Sequence, residues 1–384
     1  MSNANKNKVY VGVSGGVDSS VSAYLLKEAG YFVTGVFIRV WYPDFLECNW
    51  KDERRDAMKV CAELGIPFKE LDLEDVYKKE VADYMINEYK AGRTPNPDVM
   101  CNKYVKFGGF FDWAISEGAD YVATGHYARI SSVDEIREAL STKHQITNKL
   151  ELPKFQLLKG VDGNKDQSYF LWALTQKQLS KTLFPVGGLE KPEVRRIAKE
   201  AGLLTAEKKD SQGICFLGEV SMKEFLKKLA KPTKGKVLGE GGEEIGYHDG
   251  AILYTIGERH GFTITKKTPN DKPYFVVSKD IENNTITVSD NMGEQGPIFN
   301  ATEVVLEKIN WINEVPEENK KYSARIRYRQ ELQNCTIKYL RLSASESLCI
   351  CVFEEKQKAT AVGQSVVVYD REVCLGGGII ESIK

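Results

Sequence analysis

The sequence lacks the features that mark several large classes of protein. Its 384 residues contain no uninterrupted apolar run of about 18, the length of a membrane-spanning helix, so no membrane partner is expected. Residues 1–8 are polar, which predicts no secretory signal and a cytoplasmic location. Only eight cysteines are present and none forms a Cys-x-x-Cys pair, which argues against a disulfide-rich secreted domain and against structural zinc. A net charge of −1 means that any nucleic-acid partner must be held by local basic patches.

The first 125 residues alternate between strand-like and helix-like segments. Apolar runs at 9–13, 32–40, 67–73 and 121–125 alternate with segments of helical periodicity such as 17–29 and 52–64. This order predicts a parallel sheet with helices on both faces. A polar stretch at 131–153 interrupts the alternation and is interpreted as a surface insertion, and helices are expected again at 167–179 and 191–201.

From about residue 234 the pattern changes to short alternating segments separated by glycine turns. Such a pattern predicts an all-β region, built as a small β-rich central module followed by a C-terminal β-barrel. The predicted domains are 1–209 (α/β catalytic domain), 210–298 (central β-rich linking domain) and 299–384 (C-terminal β-barrel).

The turn after the first strand reads Ser-Gly-Gly-Val-Asp-Ser-Ser at residues 14–20 and opens a helix. Glycines let the backbone approach an anion, and the amides of a helix N-terminus, with the hydroxyls of Ser19 and Ser20, favour negative charge. Neither the Walker pattern nor the dinucleotide fingerprint is present. A glycine turn followed by a serine-capped helix is the alternative. The segment resembles the phosphate loop of the N-type ATP pyrophosphatases, which transfer AMP to a substrate and release pyrophosphate.

Cys101 follows a segment with prolines at positions 95 and 97. The prolines predict an extended loop that presents the thiol. Asp98 could accept or deliver a proton, and Arg93 and Lys103 could favour the thiolate. A buried cysteine next to a loop is the alternative.

Cys215 follows Lys208 and Lys209 in a glycine-bounded turn at the predicted domain boundary, where active sites often lie. A core cysteine is the alternative for this position. Packing roles are expected for five other cysteines: Cys61, Cys335, Cys349, Cys351 and Cys374.

A basic strand is predicted at residues 322–329. Alternation along a strand places Arg325, Arg327 and Arg329 on one face, about 7 Å apart, where they could follow RNA phosphates. A solvated strand face is the alternative.

Four segments carry a specific family resemblance: PNPDVMCNK at 95–103, ATGHYAR at 123–129, KDQSYFL at 165–171 and DSQGICF at 210–216. In order and spacing they resemble the tRNA-specific 2-thiouridylase family, and the likeness runs from about residue 9 to residue 380. Residues 41–50 and 131–153 depart from it. The resemblance implies an adenine nucleotide α-hydrolase-like (Rossmann-like) N-terminal domain and a barrel that binds tRNA.

The resemblance also implies a mechanism, in which ATP with Mg²⁺ adenylates the C2 oxygen of the wobble uridine (position 34). Cys215 would carry sulfur as a persulfide, and Cys101 would release it, leaving a Cys101–Cys215 disulfide. Asp98 would act as acid or base. The implied partners are tRNA, through its anticodon stem-loop, and a persulfide sulfur-donor protein, either a cysteine desulfurase or a sulfur relay.

The same resemblance implies the binding residues. The ATP phosphates would be held by Gly12, Val13, Ser14, Gly15, Gly16, Val17, Asp18 and Ser19, with Ile38 and Gly125 near the adenosine. The target base would meet Asn96, Pro97 and Asp98. The tRNA would be contacted by Lys165, Asp166, Gln167, Arg327, Tyr328, His126 and Gln364. For His126, a hydrogen bond within a loop is the alternative.

Two other functions remain possible from the residues alone. One is a different ATP pyrophosphatase that acts on a small molecule with a nitrogen nucleophile, which would need neither paired cysteines nor a β-domain. The other is a non-catalytic RNA-binding relative, against which the phosphate loop and both cysteines argue.

Overall fold

The computed structural model describes residues 7–45, 50–132, 155–209, 222–265, 272–291, 299–341 and 347–384. Within these ranges the strands form one five-stranded parallel sheet, a second five-stranded sheet and an eight-stranded sheet. None of the helices in these ranges is long and apolar enough to cross a membrane.

The parallel sheet is the centre of the N-terminal domain and has the strand order β3-β2-β1-β4-β7. Its strands are β1 (Lys8–Gly12), β2 (Phe32–Arg39), β3 (Phe68–Asp72), β4 (Tyr121–Ala123) and β7 (Thr182–Leu183). Along β1, Val9 and Val11 belong to one buried cluster and Tyr10 to another, because successive side chains point to opposite faces. Both faces are therefore covered, and the predicted α/β architecture is confirmed.

The helices of this domain are α1 (Val17–Glu28), α2 (Trp50–Glu63), α3 (Glu74–Tyr77), α4 (Tyr84–Lys90), α5 (Pro97–Met100), α6 (Phe111–Ser116), α7 (Gln176–Leu179) and α8 (Lys191–Glu200). The π-helical segment Lys78–Asp83 joins α3 to α4, and the π-helical segment Cys101–Phe110 joins α5 to α6. The expected continuous helix at 167–179 is wrong. A 3₁₀ turn at Ser168–Phe170 precedes α7, and Thr175 starts α7 anew with a reciprocal capping box to Gln178.

The central module follows helix α9 (Met222–Ala230) and contains a five-stranded sheet of order β10-β9-β8-β12-β11. Its strands are β8 (Gly235–Leu238), β9 (Glu244–His248), β10 (Phe262–Ile264), β11 (Phe275–Asp280) and β12 (Thr285–Ser289). Between β9 and β10 the alternating pattern is interrupted by a 3₁₀ turn at Ala251–Leu253. Asn284 fixes this turn, because its side-chain oxygen accepts from the Ala251 amide at 2.9 Å.

Six C-terminal strands close into an antiparallel barrel through pairing between its first and last strands. They are β13 (Phe299–Trp311), β14 (Tyr322–Arg325), β15 (Gln333–Arg341), β16 (Ser347–Lys358), β17 (Ser365–Asp370) and β18 (Val373–Ile383). A hairpin from the N-terminal domain, β5 (Ala128–Ser132) and β6 (Phe155–Lys159), extends this sheet by pairing with β18. The insertion predicted at 131–153 falls between these two strands, and residues 133–154 lie outside the described ranges.

The predicted fold class is confirmed, whereas the limits 1–209, 210–298 and 299–384 stay a prediction. The five cysteines expected to pack in the interior are at most 1% exposed, as predicted: Cys61, Cys335, Cys349, Cys351 and Cys374. Burial raises the pKa of the Cys61 thiol to about 11, so this side chain behaves as a small apolar group.

Candidate active site

The phosphate loop lies at the carboxyl end of β1 and leads directly into α1. Gly15 has φ of +72°, and a Cβ placed on it would lie 2.9 Å from the Cβ of Asp56 on α2. Only glycine fits here, because the conformation is left-handed and the loop backbone packs against α2. Ile38 of β2 lies beside the start of the loop, 3.9 Å from the position of a Cβ on Gly12.

Serine side chains shape the loop from inside. The Ser19 hydroxyl accepts from the Ser14 amide at 3.3 Å and donates to the Gly16 carbonyl at 3.1 Å, and the buried Ser20 hydroxyl donates to the same carbonyl at 2.8 Å. Gly16 is the N-cap of α1 and provides no side-chain cap. The first amides of α1 therefore favour an anion, as in other helix N-termini.

Asp18 is held by two residues that are distant in sequence. The Lys191 ammonium at the start of α8 donates to both carboxylate oxygens, at 2.7 and 2.8 Å, and the Tyr127 hydroxyl donates to Oδ1 at 2.7 Å. The Lys191 side chain is only 11% exposed. Sequence reasoning missed Lys191, because it lies 173 residues from Asp18 and no local pattern sets it apart from other lysines on a helix. The pair puts a buried cation next to the phosphate loop.

Gly125 brings the end of β4 against the same loop. A Cβ at this position would lie 2.7 Å from the Ser19 amide nitrogen and 2.8 Å from the Asp18 carbonyl carbon. Contacts this short do not occur between real atoms, so the close approach of the two backbones requires glycine. The structure thus places Gly125 against the phosphate loop, and its predicted position near the adenosine stays a prediction.

His126 lies next in the chain and is buried, with 6% exposure. The Lys106 ammonium donates to Nε2 at 3.3 Å, so Nδ1 carries the ring proton and donates to the Thr124 hydroxyl at 2.6 Å. Burial, and secondarily the charge of Lys106, lower the pKa of His126 well below its usual value, and the ring stays neutral. These contacts agree with the internal hydrogen-bonding role considered for His126.

Cys101 is fully buried at the start of the π-helical segment Cys101–Phe110, so the expected exposed loop is wrong. The extended part of the chain ends at Asn96, whose side-chain oxygen caps α5 by accepting from the Val99 amide at 3.3 Å. Pro97 occupies the first turn of α5, where a missing N–H costs nothing. The helix that follows turns Cys101 into the core.

Three charged residues near Cys101 in sequence were expected to take its proton or to favour its thiolate. Asp98 lies in the first turn of α5 and is partly exposed. The guanidinium of Arg93 binds both carboxylate oxygens of the buried Glu88 at 2.5 Å. The ammonium of Lys103 lies 4.9 Å from the centroid of the Tyr104 ring. Arg93 is therefore committed to Glu88 in this conformation rather than to a thiolate.

The segment 165–167 is directed largely inward. The Asp166 carboxylate is 3% exposed, binds Arg325 at 2.9 Å, and accepts from the amides of Gly160 and Ser168 at 3.0 and 3.1 Å. Gln167 exchanges two hydrogen bonds with the Tyr127 backbone, at 2.8 and 2.9 Å. Lys165, the third predicted tRNA contact, is partly buried, and its amide donates to the Asp162 carbonyl at 3.0 Å and to the Asp162 carboxylate at 3.2 Å. Asp166 instead joins the N-terminal domain to the barrel.

The predicted arginine face is not formed. Strand β14 ends at Arg325, which is buried against Asp166 and lies 5.0 Å from the Tyr369 ring centroid. The Arg327 guanidinium donates to the carbonyls of Ile256 and Ala359 at 3.1 and 2.6 Å. Only Arg329 remains exposed, so alternation ends where the strand ends and the three arginines do not share a face.

Tyr328 and Gln364 are placed near the Cys101 segment. Tyr328 packs on Phe170 with ring centroids 4.5 Å apart, and Arg329 lies 5.1 Å from the Tyr328 centroid. The Gln364 amide donates to the carbonyls of Thr94 and Pro95, at 2.9 and 3.1 Å. This aromatic and basic group is a surface of the kind that stacks on nucleic-acid bases.

Cys215 lies outside the described residues, so the predicted pairing with Cys101 stays a prediction. The described chain that leads toward it ends beside the phosphate loop. There Lys208 forms an ion pair with Asp56 at 2.8 Å, and Asp56 is the residue that packs against Gly15.

The π-helical segment that begins at Cys101 packs against the start of the phosphate loop with its opposite end. Phe110, at the end of the π-helical segment, lies 3.5 Å from the position of a Cβ on Gly12, and Lys106 of the same segment reaches His126. An anion site and a thiol-bearing element therefore meet at the carboxyl edge of the parallel sheet, where ligands bind in open α/β folds. Within the described ranges no group of three or more His, Cys, Asp or Glu side chains could hold a metal ion.

Three family models match this chain in the order of its structural units. The tRNA methyl transferase HUP domain matches residues 7–219, the tRNA methyl transferase PRC-barrel domain matches residues 223–290, and the aminomethyltransferase beta-barrel domain matches residues 301–380. These matches agree with an α/β nucleotide-binding domain followed by two β units.

Similar proteins extend over the whole chain. A protein of Alkaliphilus oremlandii is 45% identical over 387 residues, 100% of both chains, and one of Francisella philomiragia is 44% identical over 379 residues, 97% of this chain and 99% of that protein. Both are named tRNA-specific 2-thiouridylase MnmA. A solved U34-tRNA thiolase, NcsA of Methanococcus maripaludis, is 20% identical over 59% of this chain and 68% of that chain, with a TM-score of 0.32.

Proposed function

Because this chain belongs to the tRNA-specific 2-thiouridylase (MnmA) family, we propose that it uses ATP to replace the C2 oxygen of the wobble uridine of tRNA with sulfur. The chain is a sulfurtransferase, in agreement with the sequence prediction. The observation that best supports the proposal is the junction of the phosphate loop with the Cys101 segment, made by Phe110 at Gly12 and by Lys106 at His126.

The first step is adenylation. The C2 oxygen of the uridine attacks the α-phosphorus of ATP and pyrophosphate leaves, which turns a poor leaving group into AMP. The α1 N-terminus and loop residues 12–19 would hold the phosphates, and Lys191 would add positive charge beside them. Magnesium would be held mainly by the phosphates themselves, as is usual for this ion.

The second step transfers sulfur. The terminal sulfur of a Cys215 persulfide attacks C2 and AMP leaves, so that Cys215 and the base are joined through a disulfide bond. The Cys101 thiolate then attacks the Cys215 sulfur, which forms the Cys101–Cys215 disulfide and leaves one sulfur on C2. Asp98, partly exposed in the first turn of α5, would take the proton of the Cys101 thiol and so form the thiolate. Since Cys101 is 0% exposed here, α5 must move for this step.

The partners in this proposal are tRNA and a protein that delivers persulfide sulfur, either a cysteine desulfurase or a sulfur relay. The anticodon stem-loop would meet Asn96 and Pro97 at the start of α5, and Tyr328 with Arg327 beside it. Lys165 is a further proposed tRNA contact, whereas the hydrogen bonds that His126 and Gln364 make within the protein favour internal roles for these two residues. A cytoplasmic location belongs to the same proposal, because tRNA and ATP are present there.

The proposal is tested with purified protein, unmodified tRNA, Mg-ATP and a persulfide donor, by measuring AMP release and 2-thiouridine separately. We expect the wild-type chain to form both products. Cys101→Ser is expected to keep adenylation. The reaction should then stop after the Cys215 persulfide has attacked C2, with the tRNA attached to Cys215. Cys61→Ser is the matched control, because Cys61 is buried in α2 and should keep both products. AMP release without any dependence on tRNA would contradict the proposal.

A further inference from the structure

The backbone of residues 94–95, just before α5, is hydrogen-bonded to the C-terminal barrel. Thr94 donates its amide to the Val362 carbonyl at 2.8 Å, and the Gln364 side-chain amide donates to the carbonyls of Thr94 and Pro95 at 2.9 and 3.1 Å. The Thr94 hydroxyl also donates to Thr255 of the central module at 3.3 Å. Parts of the chain more than 150 residues away thus fix this one turn of backbone.

The barrel turn at 361–365 has a shape that fits this backbone closely. Gly363 has φ of +93°, and a Cβ on it would lie 3.0 Å from both the amide nitrogen and the carbonyl oxygen of Thr94. Two residues after Gly363, the Ser365 carbonyl accepts from the Tyr169 hydroxyl at 3.0 Å, and Tyr169 is fully buried in the same hydrophobic cluster as Cys101. The turn is therefore packed against the N-terminal domain on both of its sides.

The backbone at residues 94–95 is connected to Cys101 through the short helix α5. Residues 94–95 are directly followed by Asn96, which caps α5, and α5 ends at the residue before Cys101. A short helix of four residues has little stability of its own, so its position is set by what holds its ends. The barrel turn holds the N-terminal end.

We propose that Gln364 is a positioning residue, whose amide fixes the 94–95 backbone and thereby sets the place of Asn96 and the burial of Cys101. The importance of this for catalysis rests on the proposed function, in which Cys101 is the sulfur-releasing thiol. The positioning itself does not depend on that function. It assigns the Gln364 side-chain amide to hydrogen bonds within the protein in the free enzyme, in contrast to a role confined to contacting RNA.

The test measures how fast Cys101 is alkylated by iodoacetamide in the full-length protein, with peptide mass spectrometry to separate the cysteines. Cys101 is 0% exposed, so alkylation reports how often the segment opens. Gln364→Ala is expected to raise the rate at Cys101 about tenfold, since two hydrogen bonds are lost. Gln364→Glu is expected to raise it further, because a carboxylate would face two carbonyl oxygens. The rate at Cys61, also buried, should stay unchanged and serves as internal reference.

A second pair of variants leaves Gln364 intact. Gly363→Ala should also raise the rate at Cys101, by crowding Thr94, whereas Gly118→Ala should not, because Gly118 has a similar φ of +84° and nothing within 4 Å. Gln357→Ala controls for a weakened barrel, since Gln357 is buried and its side chain hydrogen-bonds to the barrel residues 330 and 355.

Binding of tRNA and single-turnover sulfur transfer complete the test. We expect Gln364→Ala to slow sulfur transfer while the tRNA dissociation constant changes less than about twofold. Weakened tRNA binding with unchanged alkylation of Cys101 would overturn the inference in favour of an RNA contact. If the wild-type protein makes no 2-thiouridine but the alkylation pattern is as expected, the proposed function fails and the positioning role stands.

Discussion

Adding a single methyl group at Gly125 should weaken nucleotide binding without unfolding the chain. A Cβ on residue 125 would lie 2.7 Å from the Ser19 amide nitrogen and 2.8 Å from the Asp18 carbonyl carbon. Both are backbone atoms, which cannot rotate away as a side chain could. We expect Gly125→Ala to displace the phosphate loop and to weaken ATP binding at least tenfold, as measured by calorimetric titration. Gly188→Ala is the control, because nothing lies within 4 Å of a Cβ there and its φ is not left-handed. Equal ATP affinity in both variants would refute the assigned loop contact.

His126 should make stability depend on pH in a defined direction. The pKa of His126 in the folded chain is lowered well below its usual 6.5 by burial and by Lys106, so below pH 6.5 the unfolded chain binds one more proton. Unfolding free energy should therefore fall as the pH is lowered from 7.5 to 5.5, by up to about 1.4 kcal/mol per pH unit from this group. We expect His126→Gln to show a shallower fall in urea denaturation.

The exposed His260 provides the matched control for that measurement. His260→Gln should keep the pH dependence of the wild-type chain. A His126→Gln curve that runs parallel to the wild-type curve would contradict a neutral, buried imidazole.

The sequence identified those site residues that can be recognised from their neighbours in the chain. The phosphate loop and Gly125 could be found because glycines and serines at fixed spacing next to a strand have few other uses. Lys191 could not be found, since its partner Asp18 is distant in sequence and the lysine stands in an ordinary helical pattern. The burial of Cys101 was considered only as the alternative, because the two prolines favoured a loop, although Pro97 begins a helix.

Among the connections between elements, the buried pair of Asp166 and Arg325 should be the strongest. It joins the chain after β6 to the end of β14, with side-chain exposures of 3% and 7%. Removing one partner leaves the other charge buried alone, which typically costs about 3–5 kcal/mol. We expect Asp166→Leu and Arg325→Leu each to lower the unfolding free energy by about that amount, and the double variant to lower it by clearly less than the sum.

The same variants decide between a structural role and an RNA contact for Asp166. Purely additive losses in the double-mutant cycle, together with weaker tRNA binding by a stable Asp166→Asn variant, would support the contact that the sequence suggested. A large coupling free energy between Asp166 and Arg325, measured by urea denaturation, supports the ion pair seen in the structure.

At the level of elements, prediction succeeded where periodicity is regular and failed where a side chain ends it. Four strands of the parallel sheet, β1 to β4, and the helix α8 follow their apolar patterns closely, whereas the two-residue strand β7 has no such pattern. The strand expected at 322–329 stops at Arg325, because the following residues turn to place Arg327 on the carbonyls of Ile256 and Ala359. Alternation of residue types continued in the sequence after the strand had ended.

For the whole molecule, the succession of an α/β domain and two β units could be predicted from the change in pattern near residue 234. What the sequence could not reveal is that β5 and β6 leave the N-terminal domain and join the barrel sheet at β18. Pairing between strands more than 200 residues apart has no local signature. Through this pairing and the Asp166–Arg325 pair, the barrel is fixed to the domain that carries the phosphate loop.

The most direct test of the central claim is mass spectrometry of nucleosides from tRNA of cells that lack this protein. The account expects 2-thiouridine derivatives to disappear from the wobble position and to return with the wild-type gene but not with Cys101→Ser. Full retention of wobble 2-thiouridine in the deleted cells would contradict it.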